Sequence, residues 1–364
     1  MFALVPASKL ADQKRSLDAR WQVGALICVI CIALLLPMFI SNYRMFQATM
    51  LLVYAIAVFG LNILTGYNGQ ISIGHGAFYA IGAYTAAILI DYYGWPYWLS
   101  ILPAALVCFC VGILIGIPAL RLEGHYLALA TFAFAMALPQ LLRHKAFEHW
   151  TGGVQGISLS KPEVPAALPI SQDAWLYYMT LAVAFLLFWL GRNLLHGRLG
   201  YAMTAIRDNS IAAAAMGINV SLCKTITFAI SATYTGIAGA LGAIVVQFVA
   251  PDSFNFFISI SFIAAVVIGG IGTISGAFYG AAFIIFMPNW ADHISKAAPW
   301  AVYGMSLILF LYAMPGGIAS IVSRYLPGIT HSILKMPTAL RRIVGSDSAV
   351  KARRTRTEPS SSRE

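Results

Sequence analysis

Four polar residues stand close together at the end of an apolar run, in the stretch TGYNGQISIGHGAFY at 65–79. They are Asn68, Gln70, Ser72 and His75. Amide, hydroxyl and imidazole groups can exchange hydrogen bonds with water or a polar ligand without carrying a permanent charge. Irregular backbone at membrane depth is tolerated only where it is buried in protein or lines a watery cavity. The stretch therefore predicts a non-helical segment over 65–70 whose amides and backbone groups face water in a cavity. The alternative is an ordinary cytosolic turn followed by a histidine that faces other helices.

A second glycine-rich stretch, GGIGTISGAFYG at 269–280, separates two short apolar runs. It resembles a phosphate-binding loop, but it lacks the closing Gly-Lys-Ser/Thr and runs into an apolar segment. The short runs beside it predict either two half-helices or a tight helical hairpin. Glycines of the two stretches predict helix breaks or close helix packing: Gly66, Gly69, Gly270, Gly272 and Gly276.

The remaining residues predict no catalytic chemistry. Cys28 and Cys31 have the spacing of a redox or metal motif, but they lie in the apolar run ALICVICIALLL and are expected to be small apolar side chains of a helix. No Ser/His/Asp arrangement and no set of residues with metal-ligand spacing stands out. We therefore predict no enzymatic activity, no cofactor and no metal site.

The elements that must carry these residues are membrane helices. Of the 364 residues, 60% are hydrophobic and only 10% are charged, whereas about 25% of a soluble domain is charged. The apolar residues form blocks near the ~20 residues that cross a bilayer. The fold class predicted is an all-α polytopic membrane protein of about ten transmembrane helices, in contact with lipid. The apolar runs lie at about 21–40, 47–64, 71–90, 98–119, 126–142, 175–191, 225–249, 257–270, 276–290 and 299–314.

Basic residues predict the orientation. With ten spans and a cytoplasmic N-terminus, 18 of the 23 Lys and Arg residues fall inside, nine of them from Arg324 onward, as the positive-inside rule requires. The net charge of +10 is thus placed in loops and tails, and nucleic acid is not a predicted partner.

This topology divides the chain into three parts. We predict a cytoplasmic segment over 1–20, a transmembrane domain over 21–320, and a basic, disordered cytoplasmic tail over 321–364. Two loops of the transmembrane domain are longer than a connection requires. The loop 143–174 is predicted outside, and the loop 192–224 is predicted inside.

The predicted spans lack the groups that ion-coupled carriers use. No Asp, Glu, Lys or Arg stands in the middle of a span, and buried ionisable residues mark most proton and ion pathways. The sequence therefore disfavours a carrier that works alone on an ion gradient.

The inner loop contains a predicted helix over 201–216, which has six alanines and no Gly or Pro. Gly217 is predicted to end it, and its polar feature is the run Arg207-Asp208-Asn209. Such a helix either lies on the membrane surface or docks into a groove on another protein.

Four segments resemble one family, in its order and spacing. YNGQISIGHGAFYAIGAYTAA, PALRLEGHYLALAT, GRLGYAMTAIRDNSIAAAAMGINV and GGIGTISGAFYGA are similar to the M-type permease subunit of branched-chain amino acid ABC transporters, over about residues 50–317. The resemblance implies an importer of small neutral amino acids in the bacterial inner membrane, and the basic-residue count predicts that both termini are cytoplasmic. In such an importer the stretch 65–76 would be the inner end of a helix that lines the translocation path, where Asn68, Gln70, Ser72 and His75 could form transient hydrogen bonds with a zwitterionic solute. It implies a second, H-type permease subunit, two ATP-binding subunits that hydrolyse the ATP, and a periplasmic solute-binding protein. Permeases for urea and short-chain amides look closely similar and are the alternative.

The resemblance also implies that the inner loop carries the cytoplasmic coupling helix, which docks the ATPases. Carried onto this chain, the coupling residues are Arg207, Asp208, Asn209, Ala212, Ala213 and Gly217. The general importer pattern has Glu before Ala-Ala, whereas Ile211 precedes Ala212 here and Asp208 stands three residues earlier. This departure leaves the set of contacts open. A purely structural membrane subunit is a further alternative, disfavoured by the docking-like loop.

Overall fold

A computed structural model describes residues 32–119, 125–162, 164, 171–294, 296, 299–314 and 316–325. Residues Leu34–Ile321 form one compact unit. The predicted N-terminal segment 1–20, nearly all of the predicted tail 321–364 and the loop 120–124 lie outside the described residues.

Helices make up almost all of this unit, with one short antiparallel pair of strands. After a helix α1 described over 32–39, the elements follow one another with short connections. They are α2 (Asn42–Asn62), a π-helical turn (Ile63–Tyr67), α3 (His75–Asp91), α4 (Ile101–Ala119), α5 (His125–Leu142), α6 (Lys145–Thr151), β1 (Ile157–Ser158), α7 (Gln172–Leu195), α8 (Arg198–Asp208), α9 (Ser210–Ala215), α10 (Val220–Val246), β2 (Phe248–Val249), a 3-10 turn (Pro251–Phe254), α11 (Phe256–Gly269), α12 (Gly276–Ile294), α13 (Pro299–Ala313) and α14 (Gly317–Tyr325).

Six helical segments of the described chain are long and apolar enough to cross a membrane. They are Asn42–Tyr67, Ile101–Pro118, His125–Leu142, Gln172–Leu195, Val220–Val246 and Pro251–Gly269. This confirms a multi-span helical membrane protein but not the predicted total of ten spans. The predicted third span, α3, is apolar but has 17 residues, and most of the predicted first span lies outside the described residues. The last turns of α12 carry Asn289 and Asp292, which lower its apolar character.

The core is built around α10, which packs against α2, α3 and α4. Small residues let α3 and α10 approach closely. A Cβ atom placed on Gly82 would lie 1.9 Å from the carbonyl oxygen of Gly236, and one on Gly239 would lie 1.9 Å from the carbonyl oxygen of Tyr79. Lipid tails are as apolar as the side chains, so such close packing is a main source of helix association in a bilayer.

Contacts at one end of the bundle join the long loop 143–174 to the end of α10. Strand β1 pairs with β2, with Ile157 opposite Val249, and Arg143 forms an ion pair with Asp252. These two regions therefore share one end of the bundle.

The opposite end brings together the α2–α3 connection, the inner loop and the α11–α12 connection. Helix α8 reaches the π-helical turn through Arg207, and Asn62 reaches the loop between α11 and α12. Helices α11 and α12 pack against each other, so of the two predicted forms for this region the structure shows a helical hairpin.

Candidate coupling and translocation site

The connection between α2 and α3 differs from the predicted non-helical segment 65–70. Residues Ile63–Tyr67 form a π-helical turn that continues α2, and the irregular backbone runs from Gly69 to Gly74. The change of direction occurs at Gly69, whose φ of 73° lies in the left-handed region that favours glycine. Single π-helical turns within α-helices often mark functional sites, and this one lies where α2 meets two other connections.

Asn62, the last residue of α2, clamps the α11–α12 loop. Its side-chain Oδ1 accepts a hydrogen bond from the backbone N–H of Gly272 at 2.8 Å, and its Nδ2 donates to the carbonyl oxygen of Thr273 at 2.7 Å. The amide thus satisfies one backbone donor and one backbone acceptor of a loop 210 residues away, and it is itself 1% exposed.

Two of the predicted glycines, Gly66 and Gly272, contact each other beside the Asn62 side chain. A Cβ atom on Gly66 would lie 2.4 Å from the backbone nitrogen of Gly272 and 2.3 Å from Asn62 Oδ1. Gly272 has a φ of 73°. Gly66 therefore has no room for a side chain, and the backbone of Gly272 favours glycine because of its positive φ.

Two further predicted glycines, Gly270 and Gly276, lie at the two ends of the turn between α11 and α12. Gly270 ends α11 with a φ of 122°, and its carbonyl oxygen accepts a hydrogen bond from the Thr273 hydroxyl at 2.7 Å. A Cβ atom on Gly276 would lie 2.5 Å from that hydroxyl oxygen. The loop is thus a compact turn held by its own polar groups.

His75, the first residue of α3, is 1% exposed and bonded through both ring nitrogens. Its Nε2 lies 2.7 Å from Ser231 Oγ on α10, and its Nδ1 lies 3.0 Å from Ser72 Oγ. The Ser231 hydroxyl donates its proton to the carbonyl oxygen of Gly60 at 2.6 Å. A hydroxyl has one proton to donate, so Ser231 must accept from His75 Nε2–H. A buried imidazolium whose hydrogen-bond partners in the described chain are two hydroxyls and no carboxylate would be costly, so the ring is neutral and Nδ1 accepts from Ser72. The network assigns a neutral imidazole protonated at Nε2.

In this state His75 and Ser72 join α3 to α10 and α2 and do not face an open space. A contact between His75 and a solute would require these hydrogen bonds to open. The predicted path role of these two residues stays a prediction.

Other polar atoms of the connection are buried without a partner in the part of the chain that the structure describes. They are Thr65 Oγ1, both side-chain polar atoms of Asn68, and Gln70 Nε2. Asn68 is 2% exposed. An unmade hydrogen bond on a buried polar group costs about 1–3 kcal/mol, so each of these groups would be stabilised by a hydrogen bond from water, a solute or a neighbouring subunit.

The predicted helix 201–216 is two helices. Helix α8 ends at Asp208 and α9 begins at Ser210, because Asn209 is extended (φ −160°, ψ 105°) and its Oδ1 caps α9 by accepting from the N–H groups of Ile211 and Ala212. Asparagine is among the best N-cap residues, and the alanine content of the segment concealed this break. Gly217, with a φ of 84°, follows the end of α9 as predicted.

The coupling residues carried over from the family point in different directions. Asp208, Asn209 and Ala212 are exposed, whereas Ala213 is 4% exposed and packs in the hydrophobic core of the chain. Ile211 and Met216 beside them are 82% and 84% exposed. The apolar surface open to a partner is therefore formed by Ile211, Ala212 and Met216, which we call the α9 surface, and not by Ala213.

Arg207 makes its contacts within the chain. Its Nη1 donates to the carbonyl oxygen of Gly66 at 2.8 Å, and its Nε and Nη2 donate to Asp208 Oδ1, each at 3.1 Å. Sequence reasoning placed Arg207 and Gly66 in separate groups, whereas the structure joins them.

Two central residues, Asn62 and Ser231, were missed by the sequence reasoning. That reasoning searched the spans for charged groups only. An amide in FGLNILTG and a hydroxyl in FAISATY are uncharged, but a buried polar side chain in a span also needs a partner. Counting amides and hydroxyls in the apolar runs would have found both.

Comparison with known proteins identifies relatives over most of the chain. The model of the family described as branched-chain amino acid transport system, permease component, matches residues 43–314. The high-affinity branched-chain amino acid transport system permease protein LivM of Salmonella typhimurium is 31% identical over 314 residues, which cover 80% of this chain and 73% of that protein.

More distant relatives include permeases named for two kinds of transport. A probable branched-chain amino acid transport permease protein LivM of Methanocaldococcus jannaschii is 24% identical over 60% of this chain and 67% of that protein. The autoinducer 2 import system permease protein LsrC of Klebsiella pneumoniae is 28% identical over 50% of this chain and 54% of that protein. No solved structure matches the chain significantly. The family match extends from α2 through α13 and the LivM similarity covers 80% of the chain, so the chain belongs to the permease family of branched-chain amino acid transport systems.

Proposed function

We propose that this chain is the M-type transmembrane permease subunit of an ATP-driven ABC importer. The observation that carries the proposal is the family match, which spans residues 43–314, from α2 through α13 and including the inner loop. Multiple apolar helices support a multi-pass protein of the bacterial inner membrane, and the basic-residue pattern supports cytoplasmic termini.

The partners follow from the family. They are an H-type permease subunit, two ATP-binding subunits and a periplasmic solute-binding protein. ATP hydrolysis belongs to the ATP-binding subunits, so this chain is a transport subunit and not an enzyme. In the six candidate spans that the structure describes, the charged residues, such as Asp173 and Arg192 in α7, stand near the span ends and none stands in the middle. Ion-coupled carriers usually need such groups inside the membrane, so this distribution supports an external energy source.

The α9 surface is the proposed docking site for an ATP-binding subunit. It follows the end of α7 and precedes α10, so it lies at the inner end of the bundle with the π-helical turn. Two large apolar side chains, Ile211 and Met216, are more than four-fifths exposed there. Small Ala212 between them lets a partner approach closely. A groove on the ATP-binding subunit would cover this surface as a helix in a groove.

The inner end of the translocation path is proposed at the connection between α2 and α3. The unpartnered atoms of Thr65, Asn68 and Gln70 support it, because each gains a hydrogen bond when a polar solute or water reaches it. Ser72 and His75 would contribute only after their bonds to each other and to Ser231 open. A path made of uncharged groups releases a zwitterion readily, since it offers no ion pair.

The solute proposed is a branched-chain or other small neutral amino acid, delivered by the binding protein. The similarity to LivM covers 80% of the chain, while that to the autoinducer 2 permease covers 50%, and this difference favours the amino acid.

Docking is tested by placing a charge on the α9 surface. In Ile211→Asp a carboxylate replaces an apolar contact, and we expect co-purification of the ATP-binding subunits and uptake of labelled leucine each to fall more than tenfold. Ala212→Trp should act similarly by steric exclusion. Val154→Asp, at an equally open position of the outer loop (67% exposed), is the matched control.

Each variant should reach the membrane at the wild-type level, because the substituted side chains are exposed. If Ile211→Asp and Ala212→Trp retain the ATP-binding subunits and transport normally, the α9 surface is not the docking site. Binding of the purified wild-type permease to anionic vesicles through this surface, with no ATP-binding subunit bound, would instead favour a membrane-surface helix.

A further inference from the structure

The side chain of Arg207 links the inner loop to the membrane spans. It leaves α8 two residues before the break at Asn209, and its Nη1 reaches the carbonyl oxygen of Gly66 in the π-helical turn at 2.8 Å, 141 residues away along the sequence. The bond is charge-assisted, and such bonds are shorter and stronger than neutral ones. The guanidinium is thus engaged by the permease itself, although the family resemblance had assigned Arg207 to the ATPase.

The carbonyl oxygen of Gly66 can accept this hydrogen bond because the helix is irregular between Leu64 and Gln70. In a continuous α-helix the N–H of residue 70 would bond to the carbonyl oxygen of residue 66. Here the N–H of Gln70 bonds to Leu64 at 3.2 Å instead. The Gly66 carbonyl oxygen is therefore available to Arg207.

The space around the side chain is shaped to admit it. Gly69 has a φ of 73°, and a Cβ atom there would lie 2.8 Å from Arg207 Cγ. On its other side Gly66 touches Gly272 and Asn62, and Asn62 holds the α11–α12 loop. A chain of direct contacts therefore runs from α8 through Gly66 to α2, α11 and α12.

We propose that Arg207 is a positioning residue that couples movement of α8 and α9 to the inner end of α2 through the Gly66 carbonyl. The inference rests on the proposed function, because the movement is supplied by the ATP-binding subunits. When those subunits displace α9, the Arg207–Gly66 bond carries the displacement to the π-helical turn and, through Asn62, to the α11–α12 hairpin. Docking and coupling are then separate tasks: the α9 surface holds the ATPase, and Arg207 transmits its movement.

Helix α8 does not need Arg207 in order to stay folded against the bundle. Met203 and Ile206 on the same helix are 0% and 4% exposed and pack in the main hydrophobic core. A variant at position 207 therefore removes the link while leaving the helix anchored, which makes the proposal testable without unfolding the protein.

The first test compares Arg207→Ala with Arg207→Lys in the complete transporter. Membrane level and co-purification of the ATP-binding subunits should match wild type in both. In Arg207→Ala, solute transported per ATP hydrolysed should fall at least tenfold, because hydrolysis continues without moving the spans. Arg207→Lys retains one donor for the Gly66 carbonyl and should recover a large part of the ratio.

The possible failures are distinguishable. If Arg207→Ala loses the ATP-binding subunits, Arg207 is a docking residue and the inference is wrong, while the proposed function stands. If its transport per ATP is normal, the inference is also wrong. If the wild-type permease binds no ATP-binding subunit, the proposed function itself fails.

A disulfide provides an independent test of the same link. A Cβ atom on Gly69 would lie 3.4 Å from Arg207 Cβ, close to the ~3.8 Å of disulfides. The test uses the Gly69→Cys/Arg207→Cys variant of a protein whose native cysteines are replaced. When the two thiols are reduced, solute transported per ATP hydrolysed should be low. When they are oxidised, this ratio should recover, because the disulfide replaces the hydrogen bond between Arg207 and Gly66. Gly69→Cys alone controls for strain at its positive φ. Arrest of transport on oxidation would show that α8 must slide past residue 69 and would overturn the proposal.

Discussion

The imidazole of His75 and the hydroxyl of Ser231 form a 2.7 Å hydrogen bond between α3 and α10, and the direction of that bond is determined by the carbonyl of Gly60. Ser231 donates to Gly60, so His75 must donate from Nε2. The three helices α2, α3 and α10 are thereby joined through one neutral ring.

This network predicts the tautomer of His75. Nitrogen NMR of selectively labelled protein should show a protonated Nε2 and an unprotonated Nδ1. His75→Phe keeps the bulk of the ring but leaves the hydroxyls of Ser72 and Ser231 short of a partner, which should destabilise the fold by about 1–3 kcal/mol. The check is thermal unfolding of the detergent-purified protein, where His75→Phe should unfold at a lower temperature. A protonated Nδ1 or an unchanged unfolding temperature would contradict the assigned network.

The Asn62 clamp makes a second prediction. Asn62→Leu has similar volume but leaves the Gly272 N–H and the Thr273 carbonyl without their partner, at a cost of about 1–3 kcal/mol for each group. Thr49→Val is the control, because Thr49 is equally buried on α2 but its hydroxyl bonds only to the carbonyl of Met45 one turn away. Thermal unfolding should show a much larger loss for Asn62→Leu than for Thr49→Val. Equal losses would mean that the clamp adds nothing beyond ordinary burial.

Close packing of α3 on α10 makes the third prediction. In Gly82→Ala the new methyl group would lie 1.9 Å from a backbone oxygen of Gly236, which no side-chain movement can relieve, so the helices must separate. The expected cost is about 1–3 kcal/mol or more. Gly304→Ala on α13 is the matched control, since nothing lies within 4 Å of its added carbon. Size-exclusion chromatography should show loss of monodisperse protein for Gly82→Ala alone, and normal behaviour of that variant would disprove the packing.

Orientation is the subject of the fourth prediction. With the five native cysteines replaced, Val154→Cys and Ile211→Cys place a thiol at exposed positions of the two long loops, 67% and 82% open. An impermeant maleimide added to intact cells should label position 154 and not position 211. Labelling at 211 should appear after permeabilisation of cells that lack the ATP-binding subunits. The reverse pattern would invert the topology.

Composition was sufficient to predict the class of fold, because blocks of apolar residues are a local property of the chain. Breaks at Gly69 and Gly272 were also predictable, since both lie among other turn formers that interrupt the apolar runs. What the chain could not show is that Gly66 and Gly272 touch. Their contact depends on how α2 and the α11–α12 hairpin pack, and no local signal encodes a partner 206 positions away.

The fold of the segment 201–217 could also be predicted only in part from the sequence. High alanine content correctly predicted helix, but Asn209 satisfied two backbone N–H groups of α9 and split the helix. The family pattern indicated which residues matter without indicating their directions. Ala213 faces the core and Arg207 faces Gly66 because Met203 and Ile206 anchor α8 against the bundle, and that packing is a tertiary property.

The central claim is that ATP hydrolysis by partner subunits drives solute through this permease. The most direct measurement is uptake of labelled leucine by proteoliposomes that contain the complete transporter, with ATP and the ATP-binding subunits in the lumen and the solute-binding protein outside. We expect accumulation that requires both ATP and the binding protein and that persists when a proton ionophore collapses the gradient. Uptake by the permease alone, driven by an ion gradient and indifferent to ATP, would contradict the account.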